Sequence, residues 1–394
     1  MSRSRTATVP ATGVYVHIPF CAARCDYCDF ATWTDRAHLV DAYVDACVLD
    51  LHRRALTPVD TVFFGGGTPS LLAAPQLTAI LDAIPRVADA EVTVECNPDS
   101  VDVDKLRAYV DAGVNRVSFG VQSMHAHVLL ALGRTHDPDN VARAVDAARA
   151  AGVDRLNLDL IYGTPGETLD DWSTTLDAAL ALGPDHVSAY ALTVEPGTPL
   201  GKAVAAGERV APDDDDQATK YELADGRLAT AGLPWYEVSN WARPGEECRH
   251  NLLYWHGGDY TAIGCAAHGA TALADGGRRR WWNVRTPERY VDAVTTGGST
   301  EAGDEILTAT DAAGEAAVLE LRTATGIKLP LPAADPSRVV SWLDDLAAAG
   351  LLERAGPIGR ERVVLTRRGR LLGNEVAARL LRALEAPRAT AGTQ

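Results

Sequence analysis

The clearest chemical feature of the 394-residue sequence is a group of three cysteines, Cys21, Cys25 and Cys28, spaced C-x3-C-x2-C. Three thiolates on one short loop can converge on a single point, and thiolates are the ligands that iron–sulfur clusters use. A [4Fe–4S] cluster held by three cysteines leaves one iron open to an outside ligand. The same spacing also suits a redox-active pair formed by Cys25 and Cys28, or a structural zinc site. The candidate fourth zinc ligands are Cys47, Cys96 and His17.

Six β-branched runs alternate with longer helical stretches, and the cysteine group directly follows the first run. Strands that are each followed by a helix require parallel pairing with crossover connections, so we predict an incomplete (βα)6 barrel or a doubly wound sheet. The predicted strands are Gly13–Ile18, Thr61–Phe64, Glu91–Cys96, Arg116–Gly120, Arg155–Leu160 and His186–Ala191. The predicted helices are Asp35–Ala55, Ala74–Ile84, Val103–Asp111, Asn140–Ala151 and Leu169–Leu182.

Polar and glycine residues follow several of these strands. A run of three glycines, Gly65 to Gly67, ends the second strand and would let the backbone approach a ligand closely. Taken singly, each of the polar residues fits a loop or a helix cap. Because the carboxyl ends of parallel strands lie on one face, where active sites are built, their joint placement predicts one site. These residues are Glu95, Gln122, Arg134 and Asp159.

The pattern changes after Pro199, and we predict a barrel over 13–200, an aromatic-rich connecting segment over 201–303 that packs on it, and a C-terminal domain over 304–384. Residues Pro212–Asp216 are predicted to form an acidic loop. The C-terminal order of helix, helix, hairpin and helix is typical of a winged-helix-like α+β domain. We also predict a flexible N-terminus at 1–12 and a tail at 385–394. Its predicted elements are Ala312–Thr325, Ser337–Ala349, Leu351–Arg354, Arg362–Thr366 and Leu371–Leu384.

Together these motifs resemble the radical S-adenosylmethionine (SAM) superfamily, whose cysteine loop binds a [4Fe–4S] cluster with SAM on the fourth iron. Segments beginning at Tyr15, Ser118 and Asn157 resemble the oxygen-independent coproporphyrinogen III oxidase family more closely, from about Gly13 to Leu384. The resemblance implies a radical SAM barrel with both cofactors. By position it places the SAM contacts on Tyr15, Tyr27, Gly66, Gly67, Thr68, Glu95, Gln122, Arg134, Asp159 and Ala191.

Within that family the chain resembles the haem chaperone branch. The decarboxylating oxidases carry a fourth cysteine two places after the third and a long N-terminal arm. Here Cys28 is followed by Asp29-Phe30, and only 20 residues precede Cys21. These departures argue against coproporphyrinogen oxidase activity.

A segment complete in this chain, His250-Asn-Leu-Leu-Tyr-Trp255, resembles the branch motif that is linked to haem binding. The resemblance implies haem contacts at His250, Tyr254 and Trp255, since imidazole ligates haem iron and aromatic faces cover the macrocycle. The residues alone favour a buried aromatic core in which His250 is hydrogen-bonded to a backbone carbonyl. Rival iron ligands are Cys248 and His268. The nearby pair Cys265-Ala266 replaces the Pro-Gly of the family.

Composition narrows the range of functions. The chain has 37 Lys and Arg against 53 Asp and Glu, and a net charge of −16 disfavours nucleic-acid binding by the chain as a whole. No apolar run approaches the roughly 20 residues of a spanning helix. The seven cysteines fit reduced thiols or metal ligands better than a disulfide framework. We therefore predict a cytoplasmic protein.

Three functions follow from these features. The first is a haem carrier that binds the cluster, SAM and haem and passes haem to an acceptor protein. This function is compatible with a partner at the membrane surface. The second is a radical SAM oxidoreductase acting on a porphyrinogen. The third, a nucleic-acid binder, rests only on a local group of C-terminal arginines, for which surface positions are the simpler explanation. They are Arg354, Arg360, Arg362, Arg367, Arg368 and Arg370.

Overall fold

The computed structural model describes residues 12–134, 136–331, 335–356 and 361–384. Predictions for residues 1–11, Arg360 and the tail at 385–394 lie outside these ranges. The strands are β1 (Thr12–Ile18), β2 (Val59–Gly66), β3 (Arg86–Cys96), β4 (Arg116–Gln122), β5 (Arg155–Tyr162), β6 (His186–Ala191), β7 (Trp235–Glu237), β8 (Asn240–Ala242), β9 (Asp259–Ile263), β10 (His268–Ala272), β11 (Arg278–Asn283), β12 (Glu301–Leu307), β13 (Ile327–Lys328), β14 (Leu352–Ala355) and β15 (Arg362–Leu365).

The helices are α1 (Val40–Arg54), α2 (Ala74–Asp82), α3 (Val103–Asp111), α4 (Ala126–Ala131), α5 (Asp139–Ala151), α6 (Leu169–Ala181), α7 (Pro199–Ala205), α8 (Asp214–Thr230), α9 (Arg249–Trp255), α10 (Pro287–Thr296), α11 (Ala309–Leu321), α12 (Pro336–Ala348), α13 (Arg367–Leu371) and α14 (Gly373–Leu384).

Strands β1 to β6 pair in parallel and in chain order, with helices in the connections, which confirms the predicted six-stranded βα barrel. Alternate side chains of each strand face the helices and form the main hydrophobic core. On β1 these are Val14, Val16 and Ile18, all fully buried. The other face of each strand points into the barrel, where it positions the polar residues described below.

The segment after the barrel extends the sheet at both edges. Strand β9 pairs in parallel with β1, with Thr12 opposite Asp259, and β10 to β12 continue the sheet in antiparallel order. At the other edge β8 pairs antiparallel with β6, and β7 follows. The result is a 12-stranded mixed sheet with the order β12-β11-β10-β9-β1-β2-β3-β4-β5-β6-β8-β7. The aromatic-rich segment therefore contributes strands to the sheet.

The prediction of an acidic loop at Pro212–Asp216 is wrong, because three of these five residues belong to α8. The carboxylate of Asp213 caps this helix by accepting a hydrogen bond from the backbone N–H of Asp216 at 2.8 Å. Asp214, Asp215 and Asp216 form the first turn. Acidic side chains are stabilising there because the helix dipole is positive at its amino end.

The C-terminal domain has a three-stranded antiparallel sheet, ordered β13-β15-β14, packed with α11, α12 and α14. This confirms the winged-helix-like α+β prediction. Its own core includes Leu321, Trp342 and Leu380. Among the described residues, no helix is both long enough and apolar enough to span a bilayer.

The basic cluster of this domain is largely used within the chain. The buried carboxylate of Asp225 on α8 accepts hydrogen bonds from Arg367 at 2.6 Å and Arg370 at 2.9 Å. Arg370 also stacks over Trp235 at 4.4 Å. The other described arginines of the cluster, Arg354, Arg362 and Arg368, bind carboxylates or backbone carbonyls nearby. Arg367 and Arg370 thus attach the C-terminal domain to the rest of the chain, and the other three arginines stabilise the fold of the domain itself.

Candidate functional site

A cavity of about 760 Å3 opens at the carboxyl ends of β1 to β6. That volume is typical of small-molecule sites, which range from about 300 to 1,000 Å3. The three cysteines line it, together with nine of the ten predicted SAM contacts. Those nine are Tyr27, Gly66, Gly67, Thr68, Glu95, Gln122, Arg134, Asp159 and Ala191. Tyr15 is not part of the lining, and its hydroxyl lies 3.2 Å from Nδ1 of His17.

Cys21, Cys25 and Cys28 are free and partly exposed to this cavity. Burial raises the pKa of the Cys21 and Cys28 thiols above the ordinary thiol value. The guanidinium of Arg134 lies 3.6 Å from the Cys25 sulfur, and the hydroxyl of Thr68 lies 3.8 Å from the Cys21 sulfur. A cation and a hydroxyl donor beside these sulfurs would stabilise thiolates.

The thiols are not gathered as a single zinc ion would require. In a tetrahedral zinc site with Zn–S bonds of about 2.3 Å, the sulfurs lie about 3.8 Å apart. Within the described ranges, the only three candidate ligands whose donor atoms all lie within 4.8 Å of one another are His125, His127 and Asp171, which lie away from the cysteine loop. At least one pair of the three cysteine sulfurs is therefore more than 4.8 Å apart, which disfavours a single zinc ion bound by all three.

The remaining cysteines and His17 also give no support to zinc. Cys47, Cys96, Cys248 and Cys265 are all buried. His17 has its Nε2 2.9 Å from the carbonyl oxygen of Ala31.

The glycine run brings the backbone against the cysteine loop. The N–H groups of Gly67 and Thr68 donate to the carbonyls of Ile18 and Phe20, each at 2.8 Å. A Cβ atom on Gly67 would lie 2.7 Å from the Phe20 oxygen and 3.0 Å from the Cys21 sulfur. Only glycine allows this approach, so the run shapes the cavity wall next to the first cysteine.

Two carboxyl groups that line the cavity, those of Glu95 and Asp159, repel each other. Glu95 accepts a hydrogen bond from the Gly66 N–H at 3.2 Å, while Asp159 accepts from the Ser118 hydroxyl at 2.6 Å and from the Asn157 amide at 2.8 Å. Burial, and then repulsion by Asp159, raises the pKa of Glu95 to about 8. A cationic ligand would relieve this repulsion.

Gln122 enters the cavity from an irregular strand end. Its backbone has φ of 66°, in the left-handed region that favours glycine, and the pairing of β4 with β5 shifts register between Gly120 and Gln122. Such a bulge re-aims a side chain at a local cost of about 1–3 kcal/mol. The Arg134 guanidinium donates to the Gly120 carbonyl at 2.8 Å, which fixes the arginine beside the same bulge.

The predicted haem contacts lie elsewhere, where α9 covers the barrel interior near the amino ends of β1 and β2. His250 is fully buried, with Nδ1 2.8 Å from the Thr61 hydroxyl and Nε2 2.7 Å from the Tyr254 hydroxyl. Burial lowers its pKa to about 4, and Phe63 stacks on its ring. Since both ring nitrogens already have partners, this geometry favours the core interpretation. His250, Tyr254 and Trp255 do not line the cysteine cavity.

Glu91 anchors the amino end of α9 inside the barrel. Its carboxylate accepts the backbone N–H groups of Arg249 at 3.1 Å and His250 at 3.0 Å, and it pairs with Arg155 at 2.9 Å. Burial alone would raise the pKa of Glu91, but Arg155, Arg116 and these N–H groups outweigh it and hold the pKa below its ordinary value. The motif helix is therefore fixed by a buried charge.

Sequence reasoning missed this polar layer, although a pattern could have revealed it. Four successive predicted strands each begin with a titratable residue, and all four side chains are buried. Since the strands are parallel, their first residues lie at one level of the barrel interior. These residues are Glu91, Arg116, Arg155 and His186.

The Cys265-Ala266 pair, which replaces the Pro-Gly of the family, is accommodated by contacts within the loop and with Tyr43. Ala266 has φ of 54°, the conformation for which glycine is favoured, so alanine there is strained by about 1–2 kcal/mol. The backbone N–H of Cys265 donates to the Tyr43 hydroxyl at 2.8 Å, and that hydroxyl lies 3.6 Å from the Cys265 sulfur. The loop keeps its turn and gains a buried thiol.

The fold and the cysteine-lined cavity define a radical SAM protein. The radical SAM superfamily model matches residues 15–179, and membership in the superfamily implies a [4Fe–4S] cluster and SAM as cofactors. The solved structure of the E. coli coproporphyrinogen III oxidase HemN, described as a radical SAM enzyme, has the same fold: its TM-score is 0.80 at 23% identity, covering 94% of this chain and 90% of its own.

Curated relatives define the family more narrowly. The heme chaperone HemW of Mycobacterium tuberculosis is 45% identical over 382 residues, which cover 94% of either chain. HemW of Escherichia coli is 40% identical over 292 residues, covering 72% of this chain and 76% of its own. HemW of Bacillus subtilis is 34% identical over 376 residues, covering 92% and 97%. The chain belongs to the HemW family of radical SAM proteins.

Proposed function

We propose that the protein is a haem chaperone that binds a [4Fe–4S] cluster, SAM and haem and passes haem to an acceptor protein. The observation that carries the proposal is a complete cysteine-lined cavity in a chain whose relatives, matched over almost its full length, are named haem chaperones. The departure at Asp29-Phe30, where the decarboxylating oxidases carry a further cysteine, favours a carrier over a porphyrinogen oxidase.

In this proposal Cys21, Cys25 and Cys28 hold the cluster. Three soft thiol donors on one wall of a spacious cavity fit a cluster with one open iron. When bound, such a cluster supplies that open coordination site and an electron to its ligand. The chain's own contribution is to place a cation, Arg134, 3.6 Å from the Cys25 sulfur, which offsets the negative charge of the thiolates.

The SAM site extends from the cysteines across the same cavity. Backbone groups of Gly66, Gly67 and Thr68 border one side, and the carboxyl groups of Glu95 and Asp159 border the floor. SAM carries an ammonium and a sulfonium, so two adjacent carboxyl groups complement its charge. The other proposed contacts are Tyr15, Tyr27, Gln122, Arg134 and Ala191.

Haem contact by His250, Tyr254 and Trp255 stays a prediction of the family resemblance. The contacts of α9 indicate which structural changes such binding would require. For His250 to ligate iron through Nε2, its 2.7 Å contact with Tyr254 must break and α9 must expose a buried ring. A buried polar group left without its partner costs about 1–3 kcal/mol. Haem binding by this motif therefore requires a rearrangement of α9.

The proposal is tested by anaerobic reconstitution followed by haem titration with and without SAM. We expect the wild type to show iron–sulfur absorbance and to take up haem stoichiometrically, whereas Cys25→Ser loses the cluster absorbance. Absence of haem uptake by the reconstituted wild type would refute the chaperone function. Conversion of coproporphyrinogen III in the presence of dithionite and SAM by the wild type, but not by Cys25→Ser, would instead establish the oxidoreductase.

A further inference from the structure

Two histidines and an aspartate meet where the connection between β4 and α4 packs against the amino end of α6. Each offers one ligand atom, and these atoms all lie within 4.8 Å of one another. We propose that His125, His127 and Asp171 bind a divalent transition-metal ion such as zinc. None of the three lines the cysteine cavity, and the proposed site does not depend on the chaperone function.

The distances between the ligand atoms suit a bridging metal ion better than direct hydrogen bonds. Nδ1 of His125 lies 3.6 Å from Oδ1 of Asp171, and Nε2 of His127 lies 3.4 Å from Oδ2. Both contacts are longer than the ordinary N–H···O hydrogen bond of about 2.7–3.2 Å. In a tetrahedral zinc site with bonds of about 2.0–2.1 Å, neighbouring ligand atoms lie about 3.3–3.4 Å apart. The two contacts are therefore close to the separation of ligands that share one ion.

Thr174 determines which nitrogen of His125 carries the proton. Its hydroxyl lies 3.0 Å and 3.1 Å from the carbonyl oxygens of Asp170 and Asp171, and donates its one proton to them. The hydroxyl oxygen can therefore only accept from Nε2 of His125, which lies 2.6 Å away. In the neutral ring, Nδ1 then presents a lone pair to the Asp171 carboxylate. These two electron-rich groups repel each other unless a cation lies between them.

The elements that carry the ligands are already joined to one another. Thr175 of α6 is fully buried, and its hydroxyl accepts the backbone N–H of Met124 at 3.3 Å. The Asp171 carboxylate is 17% exposed, and Oδ2 accepts the backbone N–H of Thr168 at 2.8 Å and its hydroxyl at 2.6 Å. Side chains that are positioned in this way lose little freedom when they bind an ion.

The ligand set indicates the class of ion. Two imidazoles and one carboxylate are a common set for zinc, whereas magnesium and calcium prefer oxygen ligands. The side chain of His127 is 56% exposed, so water can complete the coordination. The first turn of α6 also carries Asp170, whose charge makes the surroundings of Asp171 more negative.

A metal ion at this position would join two elements that border the cysteine cavity. The connection that carries His125 begins after Gln122, and α4 leads to Arg134; both of these residues line the cavity. An ion that binds this connection to α6 would stabilise the wall of the cavity without entering it. Its expected role is therefore structural.

The test is an anaerobic calorimetric titration of Zn2+ into the full chain after cluster reconstitution, so that the three cysteines are occupied. The variants are His125→Ala, His127→Ala and Thr174→Val, and His52→Ala, at an exposed histidine on α1, is the control. Thr174→Val keeps all three proposed ligands and removes only the partner of Nε2. Zinc K-edge absorption then identifies the bound atoms, because Zn–N bonds of about 2.0 Å differ from Zn–S bonds of about 2.3 Å.

We expect the wild type to bind one Zn2+ per chain with a dissociation constant of about 10 µM or lower, through nitrogen and oxygen. Thr174→Val should weaken binding by about tenfold, and loss of either histidine ligand by more than that. His52→Ala should match the wild type. Without zinc, His127→Ala should unfold like the wild type because its side chain is exposed, whereas added Zn2+ should raise the Tm of the wild type alone.

Three outcomes would overturn the inference. Absence of binding to the wild type at about 100 µM Zn2+ would leave a proton as the cation between His125 and Asp171. Binding that is unchanged in both histidine variants would place the ion elsewhere. A zinc spectrum dominated by sulfur would assign the ion to cysteines. None of these outcomes bears on haem binding, so the proposed chaperone function is tested separately.

Discussion

Glu95→Gln should stabilise the protein in a strongly pH-dependent way. Glu95 has its pKa raised to about 8 from an ordinary 4.5, first by burial and then by Asp159. The folded state therefore holds its proton more tightly than the unfolded state does. This stabilisation is complete below pH 4.5 and is lost as the pH rises through the interval up to about 8.

The magnitude follows from the size of the shift. At 1.36 kcal/mol per pKa unit, a rise from 4.5 to about 8 corresponds to at most about 5 kcal/mol at pH 9. Water in the open cavity screens part of this. Glutamine is neutral at every pH and keeps an oxygen that can accept the Gly66 N–H. The free energy of unfolding of the variant should therefore not fall at high pH as that of the wild type does.

The assay is urea unfolding of cluster-free protein at pH 5, 7 and 9, comparing wild type with Glu95→Gln. The difference in free energy of unfolding should be below about 1 kcal/mol at pH 5 and should grow to several kcal/mol at pH 9. Glu353→Gln, which alters an exposed glutamate on β14, is the matched control and should show a small constant difference. A difference for Glu95→Gln that does not change between pH 5 and pH 9 would refute the reasoning.

Two further substitutions test the barrel interior and the cysteine loop. Glu91→Gln removes the buried carboxylate that pairs with Arg155 at 2.9 Å, leaves Arg155 only the more distant carboxylate of Glu246 at 3.8 Å, and weakens the anchor of α9. The free energy of unfolding in urea should therefore fall by about 3–5 kcal/mol, and a loss below about 1 kcal/mol would contradict a buried ion pair. Gly67→Ala would press a methyl group against the Phe20 carbonyl and the Cys21 sulfur, so reconstituted iron per chain should drop well below the wild-type value. The control is Gly226→Ala on α8, where a methyl group meets open space, and this variant should retain the iron.

The six barrel strands were predictable because each is a β-branched run that the parallel sheet buries on its helix-facing side. Their bounds differ where pairing extends them: β3 begins at Arg86 because Arg86 pairs with Val59, although its Ala-Asp-Ala stretch has little strand propensity. Outer strands such as β11 were not predicted, because their sequences also have little strand propensity. Strand β11 begins with three arginines, and it is stabilised by cross-strand pairs such as Arg279 with Asp304.

The cysteine cavity was predictable because its residues follow successive strands, and topology alone brings those ends together. The placement of His250 was not, since its partners Thr61 and Glu91 lie 189 and 159 residues away along the chain. Contacts of this kind depend on the assembled fold rather than on local pattern.

The parallel pairing of β1 with β9 has a consequence for synthesis of the protein. Cys28 leaves the ribosome about 230 residues before Asp259, an interval of roughly 12–46 s at 5–20 residues per second. Throughout that time β1, which presents the cysteine loop, is an unprotected sheet edge in the nascent chain. The cell therefore has to keep this edge from pairing with other chains, and its thiols from oxidation, until the second half of the polypeptide has emerged.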